Sequence, residues 1–489
     1  MAPLTPALAH EVIVSAEQDA DLLRFDVGGW AIWPLFRMGV AARLAGAPRV
    51  PRTVGRAAGL LAGGVAAAPA FLRAPRANYF AKTYSSGLLD FVDGRYRDIW
   101  FDDLLDDVGD HARILAANNP VFRTRIRQAA NPPALRSEPI DAISRAIAMA
   151  DRSSHVRNAS RALAAAANSA ARREILDPDV VARRVRLFIA RRRTYGALLA
   201  RIQPSVVLVA DAGEHDLVAA AKEAGASVLE LQHGINDRHH AGYSWTEYAR
   251  SFRPAMPVPD RQLLYGEHWK AQLEPYGFWG DDLRVVGSPR IDRFRSSAQR
   301  VQDSNRVLFT SQGIDPLATI GFLRRAIDLV RAVPVALSIR LHPVYDAGNE
   351  STYRSAFAGD ARVTIDGFAD GPSTVQLLST SRLHVSVSSA AHYEAIALRV
   401  PTVVLPLRTH ETVDHLVHTG LATRADDPER LARLMIEPGA PAPSSASNEL
   451  FAPGALAKAR AEIASISLAR PRHDLGERRG RRTENEGHG

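Results

Sequence analysis

The stretch SVVLVADAGEHDLVAAAKEAGASVLELQHGI, residues 205–235, sets a pattern that the rest of the chain follows. It opens with a short β-rich run at 205–210 and continues into an amphipathic helix at 214–225, which Gly225 closes. A second apolar run follows at 227–232. A strand, a helix and a strand in this order are typical of two parallel strands joined by a crossover helix.

The alternation continues through RQLLYG at 261–266 and LRVVG at 283–287, and it begins again with RVLFTSQ at 306–312. It predicts an α/β fold with two doubly wound, Rossmann-like domains that face one another across a cleft. The predicted units are an N-terminal domain at 1–287 with a helical insertion at about 137–202, a linker at 288–305, a C-terminal domain at 306–440, and a mostly disordered basic tail at 441–489.

The composition supports two globular domains. A chain of 489 residues is too long for one core, and 46% hydrophobic with 23% charged residues is an ordinary globular balance. The chain has no cysteine, which excludes disulfides, thiol chemistry and cysteine-ligated zinc.

The net charge of +8 comes in part from arginine runs at 183–193 and 477–482. Such an excess suits anionic lipid, phosphorylated substrates or nucleic acid, although a solvated helix face and tail would give the same pattern. Nucleic acid is the least favoured partner, because the runs lack interleaved aromatic residues. The first residues lack the features of a secretory signal, so we expect a cytoplasmic protein that can dock on the inner face of the plasma membrane.

In parallel sheets, ligands bind beyond the carboxyl ends of the strands, so the polar residues there are the candidates for chemistry. Asp211 and Glu214 follow the strand at 205–210, where Asp211 either takes a proton from an acceptor hydroxyl or caps the next helix. Gln232, His233 and Gly234 follow the strand at 227–232. Gly234 would let the chain turn sharply and place His233 in the cleft as an acid, a base or a phosphate contact, unless His233 is structural.

Two histidines further along, His239 and His240, have no carboxylate at a zinc-binding spacing, so we predict no metal site. The strand at 335–342 ends in Arg340 and His342, which alternation places on the same side before Pro343. A guanidinium and an imidazole in this arrangement favour a diphosphate site, whereas the alternative is a solvent-exposed strand end.

Ser388 and Ser389 follow the next strand, and hydroxyls at the start of a helix can bind phosphate or simply cap the helix. Glu394 lies in that helix, where its carboxylate could meet ribose hydroxyls or stay a surface group. Ser311 and Gln312 form a weaker candidate beside the diphosphate. The usual dinucleotide, P-loop and G-x-S-x-G motifs are missing.

Four motifs in order carry a resemblance to a known family: LQHG at 231–234, YGEHWK through LRVVGSPRID at 265–292, RLHP at 340–343 and SVSSAAHYEAIALRVPTVVL at 386–405. Together they resemble the capsule and teichoic-acid polysaccharide enzymes, which are GT-B-fold transferases and include the CDP-glycerol glycerophosphotransferases. The histidine–proline and serine–serine pairs also resemble those of bacterial sialyltransferases and polysialyltransferases.

The resemblance implies roles for these residues. His342 would contact the nucleotide phosphate and stabilise the leaving group, Ser388 and Ser389 would bind the same phosphate, and Glu394 would meet the ribose. His233 would face the acceptor or the transferred group. Asp211 matches the acidic base of the sialyltransferases, although this chain has Asp-Ala-Gly where they have a paired acidic motif before glycine.

The implied function is transfer of a sugar, or of a polyol phosphate, from a nucleotide-activated donor to a glycan or lipid-linked acceptor, with no metal and no cofactor. The C-terminal domain would bind the donor and the N-terminal domain the acceptor. Two other functions fit the same fold: a non-catalytic factor of polysaccharide assembly, and a GT-B-type nucleotide-sugar epimerase.

Overall fold

Two parallel β-sheets form the two halves of the protein in a computed structural model, which describes residues 4–46, 67–83, 89–108, 110–115, 128–131, 135–298, 304–342, 345–346, 348–366 and 372–469. The strands are β1 (Asp26–Val27), β2 (Trp30–Ala31), β3 (Tyr79–Lys82), β4 (Leu89–Val92), β5 (Arg95–Asp98), β6 (His111–Leu115), β7 (Leu135–Arg136), β8 (Val206–Val209), β9 (Ser227–Leu231), β10 (Arg261–Leu264), β11 (Leu283–Val285), β12 (Arg306–Thr310), β13 (Ala336–Arg340), β14 (Val363–Asp366), β15 (Leu383–Ser386), β16 (Thr402–Val404) and β17 (Thr423–Arg424).

The helices are α1 (Pro6–Asp19), α2 (Pro34–Leu44), α3 (Asp102–Val108), α4 (Glu138–Ala150), α5 (Ser154–Ala170), α6 (Pro178–Ile202), α7 (His215–Glu223), α8 (Glu267–Leu273), α9 (Pro289–Ala298), α10 (Pro316–Leu329), α11 (Glu350–Ala356), α12 (Thr374–Leu378), α13 (Ala391–Ala397), α14 (Asp414–His418), α15 (Pro428–Ile436), α16 (Ser444–Leu450) and α17 (Ala455–Ala469). Short 3-10 turns lie at Leu22–Arg24, Glu247–Ala255, Glu274–Tyr276, Gly280–Asp282 and His410–Val413.

Both sheets are doubly wound. The first has the strand order β11-β10-β9-β8-β3-β6-β7 and the second the order β14-β13-β12-β15-β16-β17, with parallel pairing throughout. In each sheet the chain starts in the middle, winds outward to one edge, and then returns to wind toward the other. This creates one switch point per sheet, between β3 and β8 and between β12 and β15, where such sheets bind ligands. The predicted pair of doubly wound domains is confirmed.

Helices α4, α5 and α6 form the helical addition to the first half, and the arginine run at 183–193 lies on α6. Arg184 and Arg191 pair with Asp216 of α7, and Arg191 also pairs with Asp141 of α4. These arginines therefore hold the helices of the first half together. Of the helices that the structure describes, none has the length and apolarity to cross a membrane.

The segments predicted as linker and tail contain ordered helices. Residues 289–298 form α9, and residues 444–450 and 455–469 form α16 and α17. Ile463 and Ile466 of α17 are buried against the strands of the first sheet, so the chain returns to its N-terminal half. The prediction of disorder is therefore wrong for residues 441–469, because apolar side chains of α17 pack against the first sheet. Residues 470–489, with the second arginine run, lie outside the described part.

A buried ion pair holds the N-terminal helices against the loop that follows β9. Arg37 of α2 donates from Nε to Glu17 of α1 at 2.5 Å, and both side chains are buried. Its other nitrogens donate to the carbonyl oxygens of Ala241 at 2.5 Å and Ser244 at 3.0 Å. The guanidinium thereby fixes the backbone on both sides of Tyr243.

Replacement of Arg37 by alanine should lower the free energy of unfolding by about 3–5 kcal/mol, because the buried carboxylate of Glu17 would lose its cation and, of its partners in the described part of the chain, keep only the indole N–H of Trp33. Arg24→Ala is the matched control, since the pair of Arg24 with Asp21 is exposed and should contribute less than about 1 kcal/mol. Urea unfolding measures both values. An equal, small effect of the two substitutions would contradict the structural role of Arg37.

Candidate active site

The loops that follow β12 and β13 are joined by the buried carboxylate of Asp346. Its Oδ2 accepts hydrogen bonds from the hydroxyl of Ser311 at 2.5 Å and from the backbone N–H of Gly313 at 2.7 Å. The hydroxyl of Ser311 in turn accepts a hydrogen bond from the backbone N–H of His342 at 2.9 Å. The hydroxyl of Ser311 thus holds His342 in position, and Asp346 is a site residue that the motifs did not indicate.

His342 presents a hydrogen-bond donor at the carboxyl end of β13. Its Nδ1 accepts the backbone N–H of Tyr345 at 3.2 Å, and the two rings stack with centroids 4.4 Å apart. Burial lowers the pKa of His342, which favours the neutral ring. A neutral ring that accepts at Nδ1 carries its proton on Nε2, and this N–H suits a phosphate oxygen.

Ser388 connects the two sides of the switch point between β12 and β15. Its hydroxyl donates to Oε1 of Gln312 at 3.0 Å and lies 2.9 Å from the hydroxyl of Thr409. Thr409 has a φ of +78°, a left-handed conformation that is strained for a β-branched residue and is found mostly at functional sites. Since Gln312 follows Ser311, the structure brings four predicted residues together: Ser311, Gln312, His342 and Ser388.

Two further candidates have protein partners of their own. The hydroxyl of Ser389 accepts a hydrogen bond from the backbone N–H of Ala391 at 3.2 Å, one residue before the N-cap position, which Ala390 occupies. Arg340 lies opposite Asp366 of β14 in the sheet register. Burial raises the pKa of Asp366, and the Arg340 guanidinium opposes that rise. A phosphate at Arg340 would therefore share the guanidinium with a carboxylate.

Glu394 takes part in an ion-pair cluster that joins the two halves. Arg290 of α9 donates to both oxygens of Asp90 in β4, at 2.9 and 3.1 Å, and to Oε1 of Glu394 at 3.0 Å. Arg290 and Asp90 are buried. Burial raises the pKa of Glu394, and Arg290 opposes the rise. A ribose at Glu394 would share this carboxylate with Arg290.

The loop after β9 faces the helices of the second half. The ring of His268 in α8 stacks against that of His415 in α14, with centroids 6.1 Å apart. Burial raises the pKa of Tyr393 in α13, and Asp237 of the β9 loop adds to the rise. Asp237 of this loop therefore lies within electrostatic range of α13.

The switch point between β3 and β8 is polar. Lys82 at the end of β3 forms an ion pair with Glu214. Burial opposes the charge on Lys82, but Glu214 outweighs it and holds the pKa of Lys82 above its usual range. Asp211 accepts the backbone N–H of Gly213 at 2.8 Å, and burial raises the pKa of its carboxyl group. A raised carboxyl pKa makes Asp211 a stronger base near neutral pH.

The polar atoms of Gln232 bind backbone. Its Nε2 donates to the carbonyl oxygen of Gly234 at 2.7 Å, and its Oε1 accepts the N–H of Tyr265 at 2.8 Å, which joins the loops after β9 and β10. Gly234 has no left-handed φ, so the sharp turn expected there is not the reason for a glycine. An added Cβ would meet no atom within 4 Å, so the space beside Gly234 is open.

His233 is half-buried and lies beside a second buried carboxyl group. Its Nδ1 is 3.2 Å from the hydroxyl of Tyr243, which is 2.5 Å from Oε1 of Glu230. Burial lowers the pKa of His233 to about 4 and raises that of Glu230 to about 8. Glu230 lies within residues 205–235, and a carboxyl group inside a short, fully buried strand is the sequence signal that could have identified it.

The ring of His240 stacks on Tyr243 with centroids 4.6 Å apart. Within the described ranges, no group of three or more histidine and carboxylate side chains is arranged to hold a metal ion.

No family model matches this chain. No curated protein matches it either. Among solved structures it is similar to UDP-GlcNAc 2-epimerase from Methanocaldococcus jannaschii (14% identity over 79% of this chain and 98% of that chain, TM-score 0.47) and to a glycosyltransferase from Rickettsia africae (12% identity, 81% and 100%, TM-score 0.45). HepE of Anabaena, solved with UDP and glucose, is a third (13% identity, 81% and 98%, TM-score 0.41). The strand orders of the two sheets show the fold itself, which is GT-B-like.

Replacement of Arg290 by methionine should destabilise the protein by about 3–5 kcal/mol, because the buried carboxylate of Asp90 would lose both of its short hydrogen bonds and, among the described residues, keep only Arg293, 3.9 Å away. The double variant Arg290→Met/Asp90→Asn should recover part of this loss, since neither charge is left. Arg325→Met, which breaks the exposed pair with Glu429, is the control and should change little. Denaturant unfolding measures all three. A double variant no more stable than Arg290→Met would contradict the pairing.

Replacement of Glu230 by glutamine should change how stability depends on pH. With a pKa near 4.5 in the unfolded chain and about 8 in the fold, Glu230 contributes stability that is complete below pH 4.5 and is lost as pH rises to about 8. Glutamine resembles the protonated acid and does not titrate. Between pH 5 and 9, the unfolding free energy of the variant should therefore increase relative to that of the wild type. A constant difference across this interval would contradict a neutral Glu230.

Proposed function

We propose that the protein is an enzyme that binds a nucleotide-activated sugar between its two halves, with the diphosphate at the switch point between β12 and β15. The observation that carries this proposal is the cluster in which Ser388 bonds to Gln312 while His342 bonds to the adjacent Ser311. Hydrogen bonds thus join residues from three strand ends, with His342 bound through its backbone N–H, at the place where doubly wound sheets bind phosphorylated ligands.

The chemistry of the cluster suits a leaving nucleotide. Negative charge gathers on the phosphate oxygen as its bond to the sugar breaks. The Nε2–H of His342 is oriented by the bond that the ring accepts at Nδ1, so it needs little rearrangement to oppose that charge. The hydroxyl of Ser388 would turn its proton from Gln312 toward the phosphate. Such a fixed donor typically contributes about 100- to 1000-fold to the rate.

The reaction we favour is transfer of the sugar, or of a polyol phosphate, to a glycan or lipid-linked acceptor. Asp211 would take the proton of the acceptor hydroxyl as that oxygen forms its bond to the donor and the nucleotide leaves. Burial and the resulting raised pKa support this role for Asp211. The order of the four motifs, as in surface-polysaccharide transferases, supports transfer over other uses of the fold.

Epimerisation of the nucleotide sugar is the second candidate. Inversion at a sugar carbon requires a proton to leave one face and to return on the other, which needs two acid–base groups. The first half supplies several such groups at neighbouring strand ends: Asp211, Glu214 and His233. Product analysis without an acceptor separates the two reactions, since only the epimerase would convert the nucleotide sugar alone.

Calorimetry with CMP, CDP, UDP and GDP tests the proposal. We expect one of them to bind, and His342→Ala and Ser388→Ala each to lower turnover about 100- to 1000-fold. His342 joins the Asp346 network through its backbone N–H, so the alanine variant keeps that network. His418→Ala and Ser445→Ala, at exposed positions, are the matched controls. Binding of no nucleotide would favour a non-catalytic assembly factor, and normal turnover of both variants would refute the phosphate site.

A further inference from the structure

A chain of hydrogen bonds runs from the interior of the first sheet to His233. The Oε2 of Glu230 accepts a hydrogen bond from Nε2 of Gln262 at 3.0 Å, and the Oε1 of Glu230 lies 2.5 Å from the hydroxyl of Tyr243. That hydroxyl lies 3.2 Å from Nδ1 of His233. Glu230, Gln262 and Tyr243 are fully buried. The protonation of the carboxyl group is therefore coupled to the imidazole through a single phenol.

The chain has two self-consistent proton arrangements. If Glu230 is ionised, Tyr243 donates to it and must accept Nδ1–H of His233, which leaves the Nε2 lone pair as a base. If Glu230 is protonated, it donates to the oxygen of Tyr243, and Tyr243 donates to Nδ1. His233 then carries its proton on Nε2 and is a hydrogen-bond donor.

We propose that Glu230 is held neutral and, through Tyr243, fixes His233 in the tautomer with the proton on Nε2, so that His233 acts toward the bound nucleotide sugar as a hydrogen-bond donor and not as a base. This deepens the proposed function and rests on it for the identity of the bound molecule. An oxygen of the donor phosphate or of the transferred group is the chemical partner that such an N–H takes.

The surroundings of Glu230 favour its neutral form. Across the described ranges Glu230 forms no ion pair, and Lys82, a cation at the neighbouring switch point, is paired with Glu214. Burial raises the pKa of Glu230, the bonds to Tyr243 and Gln262 oppose the rise, and the carboxylates of Asp211 and Glu214 add to it. The contacts of Glu230 with other groups are thus weaker than the cost of burying its charge.

The position of the phenol is set by the surrounding structure. The indole N–H of Trp279 donates to the carbonyl oxygen of Tyr243 at 2.8 Å, and Arg37 holds the carbonyls of residues 241 and 244. The ring of His240 stacks on the phenol. Burial lowers the pKa values of His233 and His240 to about 4, so both rings are neutral near pH 7 and the tautomer of His233 is a defined state.

Nitrogen-15 NMR of histidine-labelled protein tests the inference without any substrate, with His233→Gln used to identify the signal. At pH 7 we expect the Nε2–H tautomer in the wild type and a mixture of tautomers in Tyr243→Phe, which lacks the hydroxyl. Tyr248→Phe, whose hydroxyl bonds to Asp21 at 2.6 Å, is the matched control and should leave the signal unchanged. An Nδ1–H tautomer in the wild type, or no effect of Tyr243→Phe, would overturn the inference.

The response to pH shows whether the protonation of Glu230 sets the tautomer of His233 through Tyr243, or whether the packing around His233 alone sets it. As pH rises above about 8, ionisation of Glu230 should move the His233 proton from Nε2 to Nδ1. Glu230→Gln should keep the Nε2–H tautomer at pH 9, because the amide N–H still donates to the oxygen of Tyr243. A switch that persists in Glu230→Gln would contradict the role of this carboxyl group. If the NMR results hold while no nucleotide binds, the proposed function fails and the tautomer assignment stands.

Discussion

Parallel strand pairing is the constraint on which the rest of the structure depends. It makes every strand of a sheet end at the same edge, so polar residues far apart in sequence collect there. In each half the winding reverses once, between β3 and β8 and between β12 and β15. The first switch point collects the titratable groups Lys82, Asp211 and Glu214, and the second collects hydrogen-bonded hydroxyl and amide side chains. The proposed function assigns the nucleotide to the second of these switch points and the reacting sugar to the first.

The two halves are connected by an ion-pair cluster and by the C-terminal helices of the chain. Arg290 bonds to Asp90 in the first half and to Glu394 in the second, and α16 and α17 carry the chain back to the first sheet. Glu394 was predicted at the nucleotide ribose and is also a partner of Arg290. A ribose bound at Glu394, as we propose, would therefore compete with Arg290 for this carboxylate.

Local sequence was enough to predict the doubly wound fold and to place Ser311, Gln312, His342 and Ser388 at strand ends, while their role in binding a ligand stays a prediction. Alternation of apolar runs and helices is a local property, and the ends of strands follow from it. Asp346 was missed because its role depends on a loop contact with Ser311, 35 residues away. The cluster of Asp90 with Arg290 joins residues 200 positions apart, which no periodicity can indicate.

The protonation and the pairing of charged side chains also could not be predicted from the local sequence. Glu230 looks like any acidic residue in the sequence, and only its burial between Tyr243 and Gln262 makes a neutral acid the stable form. The arginine run on α6 looked like a docking surface, yet Arg184 and Arg191 are occupied by carboxylates of neighbouring helices. Charge counts alone do not distinguish paired from available cations.

A crystal structure of the protein with the nucleoside diphosphate that binds it would test the donor site most directly. We predict phosphate oxygens within hydrogen-bond distance of Nε2 of His342 and of the hydroxyl of Ser388, and the ribose beside Glu394. A nucleotide seated elsewhere, with those side chains turned away from it, would contradict the assignment of this cleft to a nucleotide-activated sugar.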